Sequence, residues 1–113
     1  MGMDRAVSFP GEAPAWADVA ALLRQHGAAV QMRMIDGELA FPDEAPPPGW
    51  NELRVSLAGE MVSIRREPGG VRLVAWGNAT AAQRQLWNAL AWAFATVGGA
   101  PVPEGEEMPP GWA

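Results

Sequence analysis

The chain has 113 residues, a formal net charge of −5 and hydrophobic residues at 49% of its positions. This length and composition fit one folded domain with a compact core and argue against global disorder. The acidic balance disfavours nucleic acid and anionic membrane surfaces as partners, because basic side chains supply most of the affinity for phosphate-rich partners. No apolar run is long enough to span a bilayer. The chain has no cysteine, which excludes disulfides and thiolate metal sites, and we expect a cytoplasmic protein.

Composition divides the chain into three parts. Residues 1–13 contain Pro and Gly without a periodic apolar pattern, which predicts an irregular N-terminal lead-in. Residues 14–99 carry the periodic apolar patterns and are predicted to form a single α+β domain. Residues 100–113 are rich in Pro, Gly and acidic side chains, which predicts a tail outside the core.

The first predicted helix begins near Pro14 and ends at Gly27, and its apolar stripe runs from Trp16 to Leu23. A hairpin follows, because Asp36-Gly37 is a strong signal for a two-residue turn. Strict alternation on both sides of that turn predicts one apolar face made by Val30, Met32, Met34, Leu39 and Phe41.

Three more strands are predicted at 51–57, 60–66 and 71–76, joined by short turns that contain glycine. Tight antiparallel turns place seven apolar side chains on one face: Leu53, Val55, Leu57, Val62, Ile64, Leu73 and Ala75. The last element is a helix. It begins at the capping-box spacing of Thr80 and Gln83, with Asn78 as the competing N-cap, and ends at Gly98-Gly99.

This order of elements predicts an α+β fold that runs helix, five strands, helix. Each helix has one apolar stripe and the sheet has one apolar face, so the helices are expected to pack on that face. The result is a two-layer sandwich: an antiparallel sheet of about five strands with the N- and C-terminal helices on one side. The other side of the sheet is left open or is covered by a partner.

Few side chains of this chain suit catalysis. Cys, Tyr and Lys are absent, His26 is the only histidine, and the serines are Ser8, Ser56 and Ser63. A histidine at a helix C-terminus is typical of a capping cation rather than of a catalytic base. No nucleophile elbow, phosphate-binding loop or metal-ligand spacing is present. The residues favour a non-enzymatic protein with no catalytic residue, no metal and no cofactor.

The open face of the sheet is the most informative surface. The predicted register brings together Arg54, Arg65, Arg72, Met61, Val74 and Trp76. Glu52 stands beside Arg65 as a favourable cross-strand pair, and the hairpin would extend the face with Arg33 and Ile35. Arg, Trp and Met are enriched at protein–protein interfaces. The opposing interpretation is that arginine stems, the Pro-rich linker or the tail simply cover this face.

The leading hypothesis is a non-enzymatic protein-interaction module, of an adaptor, immunity or chaperone-like type, that binds through this face, with Trp92 as a further contact. The alternative is a small-molecule-binding domain or an enzyme whose pocket lies between helices and sheet, lined by Trp16, Met32, Met34 and Trp87. A third hypothesis is self-association as a homodimer, because the final helix is apolar nearly all round towards its end.

Overall fold

The computed structural model describes residues 3–75, 80–101 and 109. Those residues form six strands and two helices. In chain order they are β1 (Met3–Ser8), α1 (Trp16–Gln25), β2 (Gln31–Ile35), β3 (Glu38–Leu39), β4 (Glu52–Leu57), β5 (Glu60–Glu67), β6 (Gly70–Ala75) and α2 (Ala81–Gly98). The strands form one antiparallel sheet in the order β1-β6-β5-β4-β2-β3.

Both helices pack on one face of this sheet, which confirms the predicted two-layer α+β sandwich. Helix α1 buries Trp16, Val19 and Leu23 against α2 and the sheet. The Trp16 and Phe94 rings meet with their centroids 6.1 Å apart. The seven apolar side chains predicted to share a face in β4, β5 and β6 all belong to this core or pack against it.

The N-terminal segment departs from the prediction, because residues 3–8 form strand β1 rather than an irregular lead-in. Strand β1 pairs with β6 and lies at one edge of the sheet, with Val7 opposite Val71 and Arg5 opposite Leu73. The guanidinium of Arg5 stacks over the ring of Trp87 at 4.6 Å. A charged residue therefore occupies a core-side position, and the apolar alternation that would have revealed the strand is broken there.

The first hairpin has the predicted turn but a different register beyond it. Asp36 and Gly37 adopt positive φ of 50° and 84°, and Met34 pairs with Leu39 as the turn requires. A β-bulge at Arg33 shifts the pairing with β4: Met32 stands opposite Val55, but Met34 stands opposite Arg54. The predicted single apolar face is therefore wrong beyond Met32, because the extra residue of a bulge reverses the alternation.

The ends of α2 follow the local sequence signals, whereas α1 begins at Trp16, so the predicted start near Pro14 is two residues too early: Ala15 is the N-cap and Pro14 precedes it. The Thr80 hydroxyl accepts a hydrogen bond from the backbone N–H of Gln83 at 3.0 Å, which confirms Thr80 as an N-cap. The Gln83 side chain does not complete the capping box but donates to the Met61 carbonyl at 2.9 Å. Gly99 ends α2 with a positive φ of 72°. Neither α1 nor α2 combines the length and apolarity that a bilayer crossing requires.

Candidate binding surface: the outer face of the sheet

The outer face is the side of the sheet that faces away from both helices. Its central row takes one residue from each strand. From β3 to β1 these residues are Leu39, Met34, Arg54, Ser63, Val74 and Asp4. The register that was predicted for β4, β5 and β6 is confirmed in this row and in the neighbouring row of Glu52, Arg65 and Arg72.

The three predicted arginines lie together on this face but differ in their electrostatic partners. Arg65 forms an ion pair with Glu52 at 3.0 Å, as the register predicted. Arg72 forms ion pairs with Glu67 and, at 3.4 Å, with Asp4. These ion pairs offset the repulsion between Arg65 and Arg72, which are direct cross-strand neighbours.

Arg54 is exposed, and it forms no ion pair with any residue that the structure describes. Arg33, the residue at the bulge, joins this face through a hydrogen bond from its Nε to the Ser56 hydroxyl at 2.7 Å. Ile35 was expected beside Arg33 but stands opposite Leu53 and packs against the core, again because of the bulge. Arg33 and Arg54 are thus the arginines of the outer face that form no ion pair with a described residue.

The other predicted contact residues are placed less uniformly. Met61 is 49% exposed and offers apolar area beside Arg54. Val74 lies on the outer face but is only 7% exposed, because its short side chain sits in a strand flanked on both sides; its role as a contact stays a prediction. Trp76 lies outside the described residues. Trp92 belongs to the helical layer, where it is partly buried, and is not brought together with the arginines.

The most exposed apolar side chains of this surface were not predicted from the sequence. Leu39 is 88% exposed and Phe41 is 74% exposed. Both were assigned to the core by alternation. Ala40, between them, packs against the core and donates its N–H to the Arg33 carbonyl at 3.0 Å. Strict alternation of apolar and polar residues does not indicate a bulge, so the sequence pattern alone does not predict that Leu39 and Phe41 are exposed.

A depression of about 210 Å³ opens at the end of this face, lined by Arg54, Met61, Ser63 and Gln83. Its polar side chains are the Arg54 guanidinium, the Ser63 hydroxyl and the Gln83 amide, each of which can donate a hydrogen bond. Within residues 3–75, 80–101 and 109, no group of three His or acidic residues is placed to hold a metal ion. The arrangement therefore suits recognition of an acceptor group.

Asp36 fixes the tip of the first hairpin against β4. Its Oδ1 accepts hydrogen bonds from the backbone N–H groups of Asn51 at 2.7 Å and Glu52 at 2.9 Å. These two hydrogen bonds hold the pKa of the Asp36 carboxyl below its ordinary value, and the bond from Glu52 has the larger effect. The charge of Arg66 lowers the pKa further. A charged carboxylate thus holds the hairpin that carries Met34 and Leu39.

The pocket expected between helices and sheet is not formed by the residues that were named for it. Met32 and Trp87 are buried in the core, and Met34 lies on the outer face. Of the four, Trp16 lines a wide groove of about 500 Å³, at the place where the start of α1 meets the linker of residues 45–50.

The apolar end of α2 is largely buried within the chain, and formation of a homodimer stays a prediction. The residues buried along α2 are Leu86, Trp87, Ala89, Leu90, Ala91, Ala93, Phe94 and Ala95. Pro109, the one described residue of the tail beyond 101, is also buried. It lies in a groove with His26 and Ala89.

No protein-family model, curated protein or solved structure matches this chain.

Proposed function

We propose that this protein is a non-enzymatic interaction module, of an adaptor, immunity or chaperone-like type, that binds a protein partner in the cytoplasm through the outer face of its sheet. The observation that carries the proposal is the row in which Leu39 and Met34 lie beside Arg54. Apolar area next to arginine is typical of the centre of a protein–protein interface.

Exposed apolar area supports this proposal. Leu39 and Phe41 are large side chains left almost wholly in water, and Met61 adds to them across the face. Burying one such side chain contributes about 1.5–3 kcal/mol. A partner that covers two or three of them gains enough free energy to offset part of the entropy lost on association.

Charge defines the chemistry of the partner. Arg33 and Arg54 form no ion pair with a described residue, although the chain as a whole is acidic. Guanidinium groups bind carboxylates in a planar, two-point geometry. The expected partner therefore presents an acidic side chain next to an apolar patch, so that the carboxylate reaches Arg54 while the patch covers Leu39.

Affinity capture with three baits tests the proposal. The wild type is compared with a face variant carrying Arg54→Glu and Leu39→Ser, and with a control carrying Arg24→Glu on an exposed position of α1. We expect a protein captured by the wild type and the control but lost from the face variant. After purification, its binding should weaken as salt rises, because screening acts on exposed charges.

Two results would contradict the proposal. Equal capture by all three baits would place the binding site elsewhere on the molecule. A wild-type protein that captures nothing but sediments as a dimer, and becomes a monomer on Leu39→Ser, would replace the foreign partner with a second copy of the chain. The oligomeric state is measured because exposed apolar side chains lie at the edge strand β3, and an exposed edge strand can pair with a second copy of the chain.

A further inference from the structure

The groove at the start of α1 is separate from the outer face. Its volume is about 500 Å³, within the range of small-molecule sites, which is roughly 300–1,000 Å³. Its walls include four prolines and two tryptophans: Pro14, Pro46, Pro47, Pro48, Trp16 and Trp50. Arg66 and Glu12 are its charged lining residues.

The fold does not require a positively charged side chain at position 66. Arg66 lies on the core side of β5, opposite Val71, and its guanidinium stacks over the Trp50 ring at 4.3 Å. Trp50 is only 2% exposed, so this stacking fixes the arginine against a rigid wall. The side chain is therefore held in place before any ligand arrives.

The hydrogen bonding of Arg66 is incomplete. Its Nε atom is buried, and no described residue accepts a hydrogen bond from it. No described carboxylate lies within ion-pair distance of Arg66. The charge of Arg66 contributes to the lowered pKa of Asp36, but the Asp36 Oδ1 accepts hydrogen bonds from two backbone N–H groups instead. Buried N–H groups almost always have an acceptor, so a charged donor without one indicates a missing acceptor.

From this geometry we propose that the groove lined by Trp16, Trp50 and Arg66 binds a small organic carboxylate with a flat apolar body. The carboxylate accepts from the Arg66 guanidinium, and the apolar body lies along the proline and tryptophan walls. Glu12 is exposed and lines the same groove. Its negative charge repels a bound carboxylate and so lowers the affinity of the groove for it. The site is independent of the protein-binding face, which is on the other side of the sheet.

Indole-3-acetate is the probe, and indole-3-acetamide is its neutral control of nearly the same shape. The indole N–H signals of the tryptophans in a ¹H–¹⁵N correlation spectrum report where it binds. We expect saturable shifts at Trp16 and Trp50, with a dissociation constant of about 1 mM or lower. The acetamide should bind about tenfold more weakly, because it lacks the charge that pairs with Arg66.

Variants separate a specific site from general hydrophobic binding. Arg66→Gln should weaken the acetate about tenfold, and Arg66→Lys should also weaken it, because lysine keeps the charge but not the planar donor edge. Glu12→Gln should strengthen it, and Arg54→Gln, on the opposite face, should leave it unchanged. Equal binding of acetate and acetamide, or no shift at Trp16 and Trp50 up to about 10 mM, would overturn the proposal. If Arg66→Gln does not fold, the lysine variant and the acetamide comparison decide.

Discussion

Met34 stands directly opposite Arg54 on the outer face of the sheet, one residue after the bulge at Arg33. The same bulge places Leu39, the hairpin partner of Met34, beside it on that face. A single extra residue in β2 therefore moves two apolar side chains from the expected core to the outer face, where Met34 is half-buried and Leu39 is exposed. The proposed binding face depends on that conversion.

Leu39→Ser is expected to change the free energy of unfolding by less than about 0.5 kcal/mol, because the side chain is 88% exposed. Met32→Ala, in the same hairpin but at a buried position, should cost about 2–5 kcal/mol. Urea denaturation followed by tryptophan fluorescence compares the two. If Leu39→Ser proves as costly as Met32→Ala, Leu39 is buried in solution and the outer face is not available to a partner.

Asp36→Asn is expected to reduce the loss of stability that acid causes. The pKa of Asp36 is depressed in the folded chain, so its charge stabilises the fold above the ordinary aspartate pKa of 3.8. That contribution disappears as pH falls through the lower, folded-state pKa. Asparagine keeps an acceptor oxygen and tolerates the positive φ of 50° at this turn, but it does not titrate.

Chemical denaturation of both proteins between pH 7 and pH 2.5 checks this prediction. The wild type should lose more stability than Asp36→Asn over the acid part of the range, and the two curves should run parallel above about pH 5. Parallel curves through the acid range would mean that the two backbone hydrogen bonds to Asp36 do not depend on its charge.

Trp87→Phe is expected to destabilise the fold beyond the loss of ring volume. The indole Nε1 of Trp87 donates to the Leu73 carbonyl at 3.1 Å in the core. Removing the donor leaves a buried carbonyl without that partner, which costs about 1–3 kcal/mol. Trp16→Phe is the matched control, since Trp16 is also a buried core tryptophan but forms no comparable hydrogen bond to a described residue. Equal destabilisation by the two changes would contradict the role of the bond.

Gly98→Ala is expected to destabilise the chain, although alanine alone favours a helix over glycine by about 1 kcal/mol. A Cβ atom at Gly98 would overlap the ring of Phe9, which is packed against Phe94 in the core. Overpacking of this kind costs about 1–3 kcal/mol. Gly11→Ala, where a Cβ meets no atom within 4 Å, is the control. A gain in the melting temperature of Gly98→Ala would show that the Phe9 ring moves aside freely.

Much of the candidate site could be predicted because its register is set locally. The turns at Asp36-Gly37 and Ala58-Gly59 have the positive φ values that two-residue hairpins need. Counting outward from the second turn places Arg54 and Met61 on the side away from the core. The exposure of Arg54 and the Glu52–Arg65 ion pair follow from the same count.

The sequence by itself determined the two ends of α2, the turns and the alternation of β4, β5 and β6, because each depends on neighbours within a few residues. Tertiary structure alone decided that β1 joins β6, that the bulge at Arg33 exposes Leu39, and that Arg66 meets Trp50 beside the start of α1. These arrangements join segments distant in sequence, and an apolar residue on either side of Arg33 suits either register locally. Only the competition among all strands and helices for the same core selects one register over the other.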